Sequence, residues 1–146
     1  MVSTTIKTGS LSVVFFDVGQ TLGTVVIEAG TRRLHPFPSS AALLDTMGRV
    51  LGLRIGIISN TPDGMTADDL QEMLAGAGLL TMLDDAAIIT SGAAGFSKPD
   101  RRIYEFASAQ VGVRIGKCLY VGENPGEVAG AQKAGMAGVL KPILPS

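Results

Sequence analysis

Asp17 lies at the end of an apolar run, Leu11–Phe16, and opens the stretch Asp17-Val18-Gly19-Gln20-Thr21-Leu22. A carboxylate that is buried without a partner is costly, so a packing role for Asp17 is disfavoured. We expect a buried strand to present this carboxylate at its carboxyl end, where open α/β sheets form their sites.

Three later segments bring further polar groups to the ends of apolar runs or to the starts of helices. They are Ile57-Ile58-Ser59-Asn60-Thr61, Ser97-Lys98-Pro99 and Tyr120-Val121-Gly122-Glu123-Asn124-Pro125-Gly126-Glu127. Phosphoryl transfer to a carboxylate requires a nucleophile held in line, a cation that neutralises charge, and donors around the phosphoryl oxygens. The four segments contain these residue types, so phosphoryl transfer is the chemistry that they could perform together.

In this order the four segments resemble the motifs of the haloacid dehalogenase (HAD) superfamily, whose members are mostly Mg-dependent phosphohydrolases. The resemblance runs from about Ser12 to about Leu140. Each motif alone is common, and the specificity lies in the order and placement of all four. The resemblance implies an α/β fold with a Rossmann-like HAD core.

Four residues take roles by this resemblance. Asp17 is the expected nucleophile, which forms an aspartyl-phosphate that water later hydrolyses. Ser59 and Asn60 are expected to bind the phosphoryl group, although Ser and Asn at a strand end also favour ordinary turns. Lys98 is expected to neutralise the phosphate and the carboxylates, although most lysines are simply solvated.

The resemblance also implies a Mg²⁺ site. Its ligands would be Asp17, the backbone carbonyl of Gly19, and Glu123, with Glu127 as a water-mediated partner outside them. Glu123 and Glu127 stand where the family usually carries Asp. Carboxylates at these positions could instead stabilise a helix N-terminus.

Gly19 is a departure from the family's commonest first motif, which has there an Asp that protonates the leaving oxygen. Three interpretations follow. The substrate could have a good leaving group, such as an acyl phosphate; another group could donate the proton, with His35 and Glu28 as candidates; or the site could bind without turning over.

Two classes of function therefore compete. The first is a Mg-dependent phosphohydrolase, which the retained Asp17, Ser59 and Lys98 favour. The second is a catalytically weak HAD-fold module that binds a metal, a phosphorylated ligand or a protein partner, which Gly19, Glu123 and Glu127 favour. A receiver domain fits poorly, because its phosphorylated Asp lies on a middle strand. Dehalogenation is less favoured, because that branch calls for other residues around the nucleophile and for a large cap.

The alternation of apolar runs with helix-period segments predicts a parallel sheet covered by helices on both faces. Strands are expected near 12–16, 53–58, 86–89, 117–121 and 137–140, and a hairpin flap over 24–34. Helices are expected from Ser39 or Ser40 to 51, and over 66–77, 99–111 and 125–134, with 91–95 as a loop.

The spacing of the motifs predicts that no cap domain is present. Roughly forty residues separate Asp17 from Ser59, and a similar number separates Ser59 from Lys98. We therefore expect an open site, suited to a large phosphorylated substrate or to a lid supplied by a partner or by a second copy in a homo-oligomer.

Bulk properties limit the remaining choices. The chain has 146 residues, of which 46% are apolar, so we expect a single domain over 11–146 behind a flexible tail over 1–10. The net charge of −1 and the absence of a basic stripe argue against nucleic-acid binding. No transmembrane run or signal peptide is evident, so a cytoplasmic location is the expectation. Cys118, the single cysteine, is expected to be a buried structural thiol.

Overall fold

The computed structural model describes residues 11–141; the tail predicted over residues 1–10 lies outside this range. This part of the chain contains the strands β1 (Val13–Phe16), β2 (Gly23–Glu28), β3 (Thr31–Pro36), β4 (Arg54–Ser59), β5 (Ile88–Thr90), β6 (Cys118–Gly122) and β7 (Ala137–Leu140). It also contains the helices α1 (Ser40–Asp45), α2 (Ala67–Gly76), α3 (Ser91–Ala94), α4 (Arg101–Val111) and α5 (Pro125–Ala134).

A five-stranded sheet forms the centre of the fold, in the order β5-β4-β1-β6-β7. All of its pairings are parallel, and Phe16 of β1 is level with Ile57 of β4 and Val121 of β6. Asp17 and Ser59 therefore leave the sheet at the same edge. The predicted α/β class and parallel sheet are confirmed.

Helices cover both faces of this sheet, because successive strand residues point to opposite sides. One apolar layer joins Val14 and Phe16 of β1 to side chains of α1 and α2, among them Leu44, Leu70 and Leu74. The other joins Val13 and Phe15 to side chains of α4 and α5, among them Ile103, Ala107, Val128 and Ala131. None of the helices within residues 11–141 has the length and apolar character needed to span a membrane.

The predicted hairpin is confirmed as a separate two-stranded antiparallel sheet made of β2 and β3. Its turn lies at Ala29 and Gly30, both with positive φ, which glycine tolerates without strain. Leu34 is buried in the layer that contains α1 and α2, and it is paired with Val25 across the hairpin. The hairpin is therefore fixed to the core by an apolar side chain.

The helix predicted to run from Ser39 or Ser40 to residue 51 is irregular. After α1 the chain continues as a wide π turn over Thr46–Val50, in which the Leu51 N–H donates to the Thr46 carbonyl. Neither serine caps the helix: Ser39 makes no capping bond, and Ser40 Oγ donates to the Leu22 carbonyl at 2.6 Å. Over a single turn, an apolar pattern does not distinguish an α-helix from a wider one.

The loop predicted over 91–95 is wrong, because residues 91–94 form the short helix α3. Thr90 Oγ1 accepts the Ala93 N–H, and Gly95 ends the helix with a φ of 81°. Small residues suggested a loop, but a capping threonine precedes them and a helix-ending glycine follows them.

The predicted start of α4 at Pro99 shifts to Arg101, because the Asp100 side chain accepts the Arg102 N–H as a cap. A 3₁₀ turn over Asp85–Ala87 moves the third predicted strand to Ile88–Thr90.

Cys118 is fully buried at the start of β6, as expected for a structural thiol. Its sulfur lies 3.6 Å from the Arg114 carbonyl. Burial raises the pKa of the Cys118 thiol to about 11. The thiol is consequently protonated at neutral pH and is a poor nucleophile.

Gly130 of α5 allows this helix to approach Pro99, the neighbour of Lys98. A Cβ atom at Gly130 would lie 2.5 Å from the Pro99 carbonyl oxygen and 2.7 Å from its Cβ. We expect Gly130→Ala to lower the free energy of unfolding by about 1–3 kcal/mol through overpacking, as measured by urea denaturation. Gly76→Ala is the matched control, because a Cβ there meets nothing within 4 Å. Equal stability of the two variants would contradict the close approach.

Candidate active site

One cleft of about 290 Å³ at the carboxyl edge of the sheet brings together most of the predicted site residues. Its lining includes Asp17, Gly19, Ser59, Asn60, Lys98 and Glu127. They come from the end of β4, from the loops after β1, after β4 and before α4, and from the first turn of α5. Glu123 is not among the lining residues; it follows β6 directly.

Lys98 is the centre of the polar network in this cleft. Its Nζ lies 2.8 Å from Asp17 Oδ1 and 3.0 Å from Glu127 Oε1. The Lys98 side chain is only 1% exposed, and the two carboxylates are 15% and 19% exposed. A buried cation is tolerated when it is paired in this way. The network therefore holds the Asp17 carboxylate in one orientation.

Tyr120 is a third partner of Lys98, and sequence reasoning assigned it no role. Its hydroxyl accepts a hydrogen bond from Lys98 Nζ at 2.8 Å and donates to Glu127 Oε1 at 3.1 Å. Burial, reinforced by the charges of Asp17 and Glu127, raises the pKa of the Tyr120 phenol. The phenol thus keeps its proton. The available signal was a tyrosine inside a buried strand, whose hydroxyl normally requires a partner.

Tyr104 of α4 contacts two residues of the same network, Glu127 and Tyr120. Its hydroxyl donates to the backbone carbonyl of Glu127 at 2.6 Å, and its ring meets that of Tyr120 edge-on, with 5.6 Å between centroids. Burial raises the pKa of the Tyr104 phenol as well. The first turn of α5, which carries Glu127, is therefore tied to α4.

Asn60 fixes the backbone of Lys98. Its Nδ2 donates to the Lys98 carbonyl at 3.0 Å, and its Oδ1 accepts the Lys98 N–H at 2.8 Å. Both ends of the Asn60 side-chain amide are thus engaged. Ser59, at the end of β4, is 8% exposed and lies on the cleft wall.

Thr21 connects the loop after β1 to the loop after β6, and sequence reasoning did not assign it. The hydroxyl of this fully buried residue lies 3.4 Å from Asp17 Oδ2 and accepts the Glu123 N–H at 3.2 Å. The Asp17 N–H in turn donates to the Val121 carbonyl at 3.0 Å. These bonds hold Asp17 and Glu123 on neighbouring loops.

The donor set predicted for Mg²⁺ consists of oxygen atoms alone: two carboxylates, Asp17 and Glu123, and the carbonyl of Gly19. Such hard donors suit Mg²⁺. Within residues 11–141, no group of three or more His, Cys, Asp and Glu side chains is placed to hold a metal. The predicted ligand set contains only two such side chains, because its third ligand is a backbone carbonyl. The Glu123 carboxylate makes no hydrogen bond or ion pair with another residue of this range, so it is uncommitted. The oxygen donors of the predicted set fit Mg²⁺ by their chemistry.

The candidate proton donors on the hairpin bond to each other. His35 Nε2 lies 2.6 Å from Glu28 Oε1, and both side chains are about half exposed. Neither residue lines the cleft that holds Asp17, whereas Val25 and Arg32 of the same hairpin do. The hairpin thus forms one wall of the cleft through other residues than those expected.

The family model described as a haloacid dehalogenase-like hydrolase matches residues 10–135. The chain belongs to this family of hydrolases, which confirms the resemblance and the Rossmann-like core predicted from the motifs.

Two curated relatives are phosphatases. The chain is 33% identical over 109 residues to the glyceraldehyde 3-phosphate phosphatase of Methanothermobacter thermautotrophicus, and the alignment covers 73% of the chain and 45% of the relative. It is 35% identical over 111 residues to the phosphoserine phosphatase of Thermus thermophilus, with 74% and 41% covered. The chain thus spans less than half the length of these relatives.

A similar solved structure is the L-2-haloacid dehalogenase from Xanthobacter autotrophicus with chloropropionic acid covalently bound. It shares 31% identity with the chain at a TM-score of 0.62, and the match covers 73% of this chain and 40% of that one. The family match consequently includes proteins of both chemistries, phosphate and halide removal.

Proposed function

We propose that this chain is a Mg-dependent phosphohydrolase that acts through an aspartyl-phosphate on Asp17. The observation that carries the proposal is the ion pair between Asp17, at the end of the central strand β1, and the buried Lys98. Ser59 and Asn60 border the same cleft, as a phosphoryl-binding role requires. The two phosphatase relatives support this substrate class.

In the first step, a carboxylate oxygen of Asp17 attacks the phosphorus. Oδ1 is held by Lys98, so we assign the attack to Oδ2, whose contact with Thr21 is long. The bond between phosphorus and the leaving oxygen breaks, and that oxygen takes the electron pair. The Lys98 ammonium, the Ser59 hydroxyl and the backbone N–H of Asn60 stabilise the phosphoryl oxygens.

In the second step, water attacks the phosphorus of the aspartyl-phosphate. The bond between phosphorus and the Asp17 oxygen breaks, inorganic phosphate leaves, and a proton of the water passes to solvent. The carboxylate is restored and again pairs with Lys98. The buried Tyr120 keeps Lys98 in place throughout, because its hydroxyl bonds to the same ammonium.

Mg²⁺ would be held by Asp17, the Gly19 carbonyl and Glu123, with Glu127 outside these ligands. When bound, the ion supplies positive charge for the phosphoryl oxygens. Glu127 is already paired with Lys98, which suits a supporting role. The expected open site, a lid from a partner or a second copy, and a cytoplasmic location stay predictions.

Among the residues of 11–141 that line the cleft, none is free to protonate the leaving group, and this favours a particular class of substrate. Position 19 has no side chain, and Glu127 is occupied by Lys98 and Tyr120. Leaving groups that need little protonation, such as acyl or aryl oxygens, are therefore the expected ones. The alternative function, a module that binds a phosphorylated ligand without turnover, rests on the same missing side chain.

The test is release of phosphate from acyl, aryl and alkyl phosphates, with and without Mg²⁺, by the wild type and by Asp17→Asn. We expect Mg-dependent turnover of acyl and aryl phosphates that falls to the background rate in Asp17→Asn. Binding of the same compounds without turnover would favour the binding module. Halide release from 2-chloropropionate, with no phosphate release from any ester, would support a dehalogenase instead.

A further inference from the structure

Two cavities meet at Arg32 on the hairpin. The first is the Asp17 cleft of about 290 Å³, and the second is a groove of about 550 Å³ between β3 and α2. Arg32, Met65 and Met73 line both. A phosphoryl group is small compared with the cleft, and any part of a substrate that extended from Asp17 into the groove would pass Arg32.

Arg32 is the cation of this junction whose charge is still available. Lys98, the other cation of the cleft, is paired with both Asp17 and Glu127. Arg32 makes no ion pair with another residue of the described range. The pKa of the nearby Asp69 carboxyl is lowered chiefly by its bonds to Thr66, and to a smaller degree by the charge of Arg32. The charge of Arg32 therefore reaches the groove.

The position of Arg32 is set by the hairpin rather than by a loose loop. Arg32 and Leu34 lie on the same face of β3, because they are two residues apart. Leu34 is buried in the core, and Ile27 pairs with Arg32 across the hairpin. The guanidinium is consequently carried by a strand that is anchored beside the cleft.

We propose that Arg32 binds a second anionic group of the substrate, a carboxylate or a second phosphate, on the leaving-group side. This inference rests on the proposed phosphohydrolase function. A guanidinium presents paired donors that match the oxygens of either group. Beyond Arg32 the groove carries charges of both signs, Arg33 as well as Asp69 and Glu72, whereas Arg32 is the arginine that also lines the Asp17 cleft. The second anionic group accordingly lies at the junction, close to the phosphoryl group.

The test compares two aryl phosphates that differ in charge but hardly in shape, 4-carboxyphenyl phosphate and 4-carbamoylphenyl phosphate. We measure kcat/KM of both for the wild type, Arg32→Gln and Arg114→Gln. Arg114 is the matched control, because it lies before β6 at the opposite edge of the sheet and is exposed. A third ester, 1,4-phenylene bisphosphate, separates preference for a second phosphate from preference for a carboxylate.

The wild type is expected to prefer one or both of the esters that carry a second anionic group, 4-carboxyphenyl phosphate and 1,4-phenylene bisphosphate. Arg32→Gln should reduce that preference, expressed as the ratio of kcat/KM values, by about ten-fold or more, since hydrogen bonds to charged groups are the strong ones. Arg114→Gln should leave the ratio unchanged. If the preference of Arg32→Gln equalled that of the wild type for both esters with a second anionic group, the inference would be overturned, while the phosphohydrolase would stay in place.

Affinity provides an independent measurement if hydrolysis fails altogether. Calorimetry in an Asp17→Asn background, with and without Arg32→Gln, measures binding of the same three esters without turnover. Weaker binding of the anionic esters on loss of Arg32 would support the inference even where the wild type hydrolyses nothing. Unchanged binding, or no binding of any ester, would overturn it.

Discussion

Gly19→Asp should raise the hydrolysis of alkyl phosphates by about 10²–10⁴-fold, the usual contribution of a positioned general acid. Alkyl alkoxides are poor leaving groups, so these esters suffer most from the missing donor. The backbone accepts the change, because a Cβ at Gly19 would lie 3.9 Å from its nearest neighbour, Val25 Cγ2, and Gly19 does not adopt a positive φ. Acyl phosphates should gain much less, since their leaving groups depart without a proton.

The measurement is kcat/KM for alkyl, aryl and acyl phosphates, plotted against the pKa of the leaving group for each variant. Gly19→Asn is the control, because it has the size of Asp but supplies no acidic proton. The dependence on leaving-group pKa should flatten in Gly19→Asp alone. A parallel gain in Gly19→Asn, or no gain in either variant, would contradict the assignment of a missing general acid at this position.

Lys98→Met should slow hydrolysis by about 10²–10³-fold, the scale of a lost electrostatic contact to developing charge. The same change should destabilise the fold by about 3 kcal/mol, because removing one partner of a buried ion pair leaves the others uncompensated. Asp17 and Glu127 would then face each other without a cation, and Tyr120 would lose its donor. Because the two carboxylates are partly exposed, we expect the loss of folding stability to lie at the lower end of the usual range for buried ion pairs.

Urea denaturation and steady-state kinetics on the same preparations measure both effects. Arg49→Met is the control: its pair with Asp45 spans 3.0 Å but is largely exposed, so its loss should cost no more than about 1 kcal/mol and leave hydrolysis unchanged. If Lys98→Met were as stable as Arg49→Met, the buried network would not be paired as described. If it were as active as the wild type, Lys98 would have no part in the chemistry.

The sheet and the meeting of the motifs could be predicted, because each motif adjoins a strong signal. Asp17 and Ser59 follow buried apolar runs, and parallel strands bring their carboxyl ends to one edge. Lys98 precedes a helix with a clear apolar face. Order along the chain and strand polarity are thus enough to place these groups in one cleft.

The connections between these groups could not be predicted. The bonds of Tyr120 and Thr21 depend on which side chain faces which across neighbouring strands and loops, which sequence spacing does not specify. Arg32 reaches the cleft because the register of the hairpin buries Leu34, a choice that only packing makes. For the same reason His35 and Glu28, plausible donors by type, pair with each other outside the Asp17 cleft.

Trapping the covalent intermediate shows whether Asp17 forms an aspartyl-phosphate. Wild type mixed with 4-nitrophenyl phosphate or acetyl phosphate and Mg²⁺ is quenched in acid within milliseconds, digested with trypsin and analysed by mass spectrometry. Asp17 lies in the tryptic peptide 8–32, which contains one other acidic residue, Glu28. We expect one phosphoryl group on Asp17 in the wild type and none in Asp17→Asn. Turnover with no label on this peptide, or a label on another residue, would contradict it.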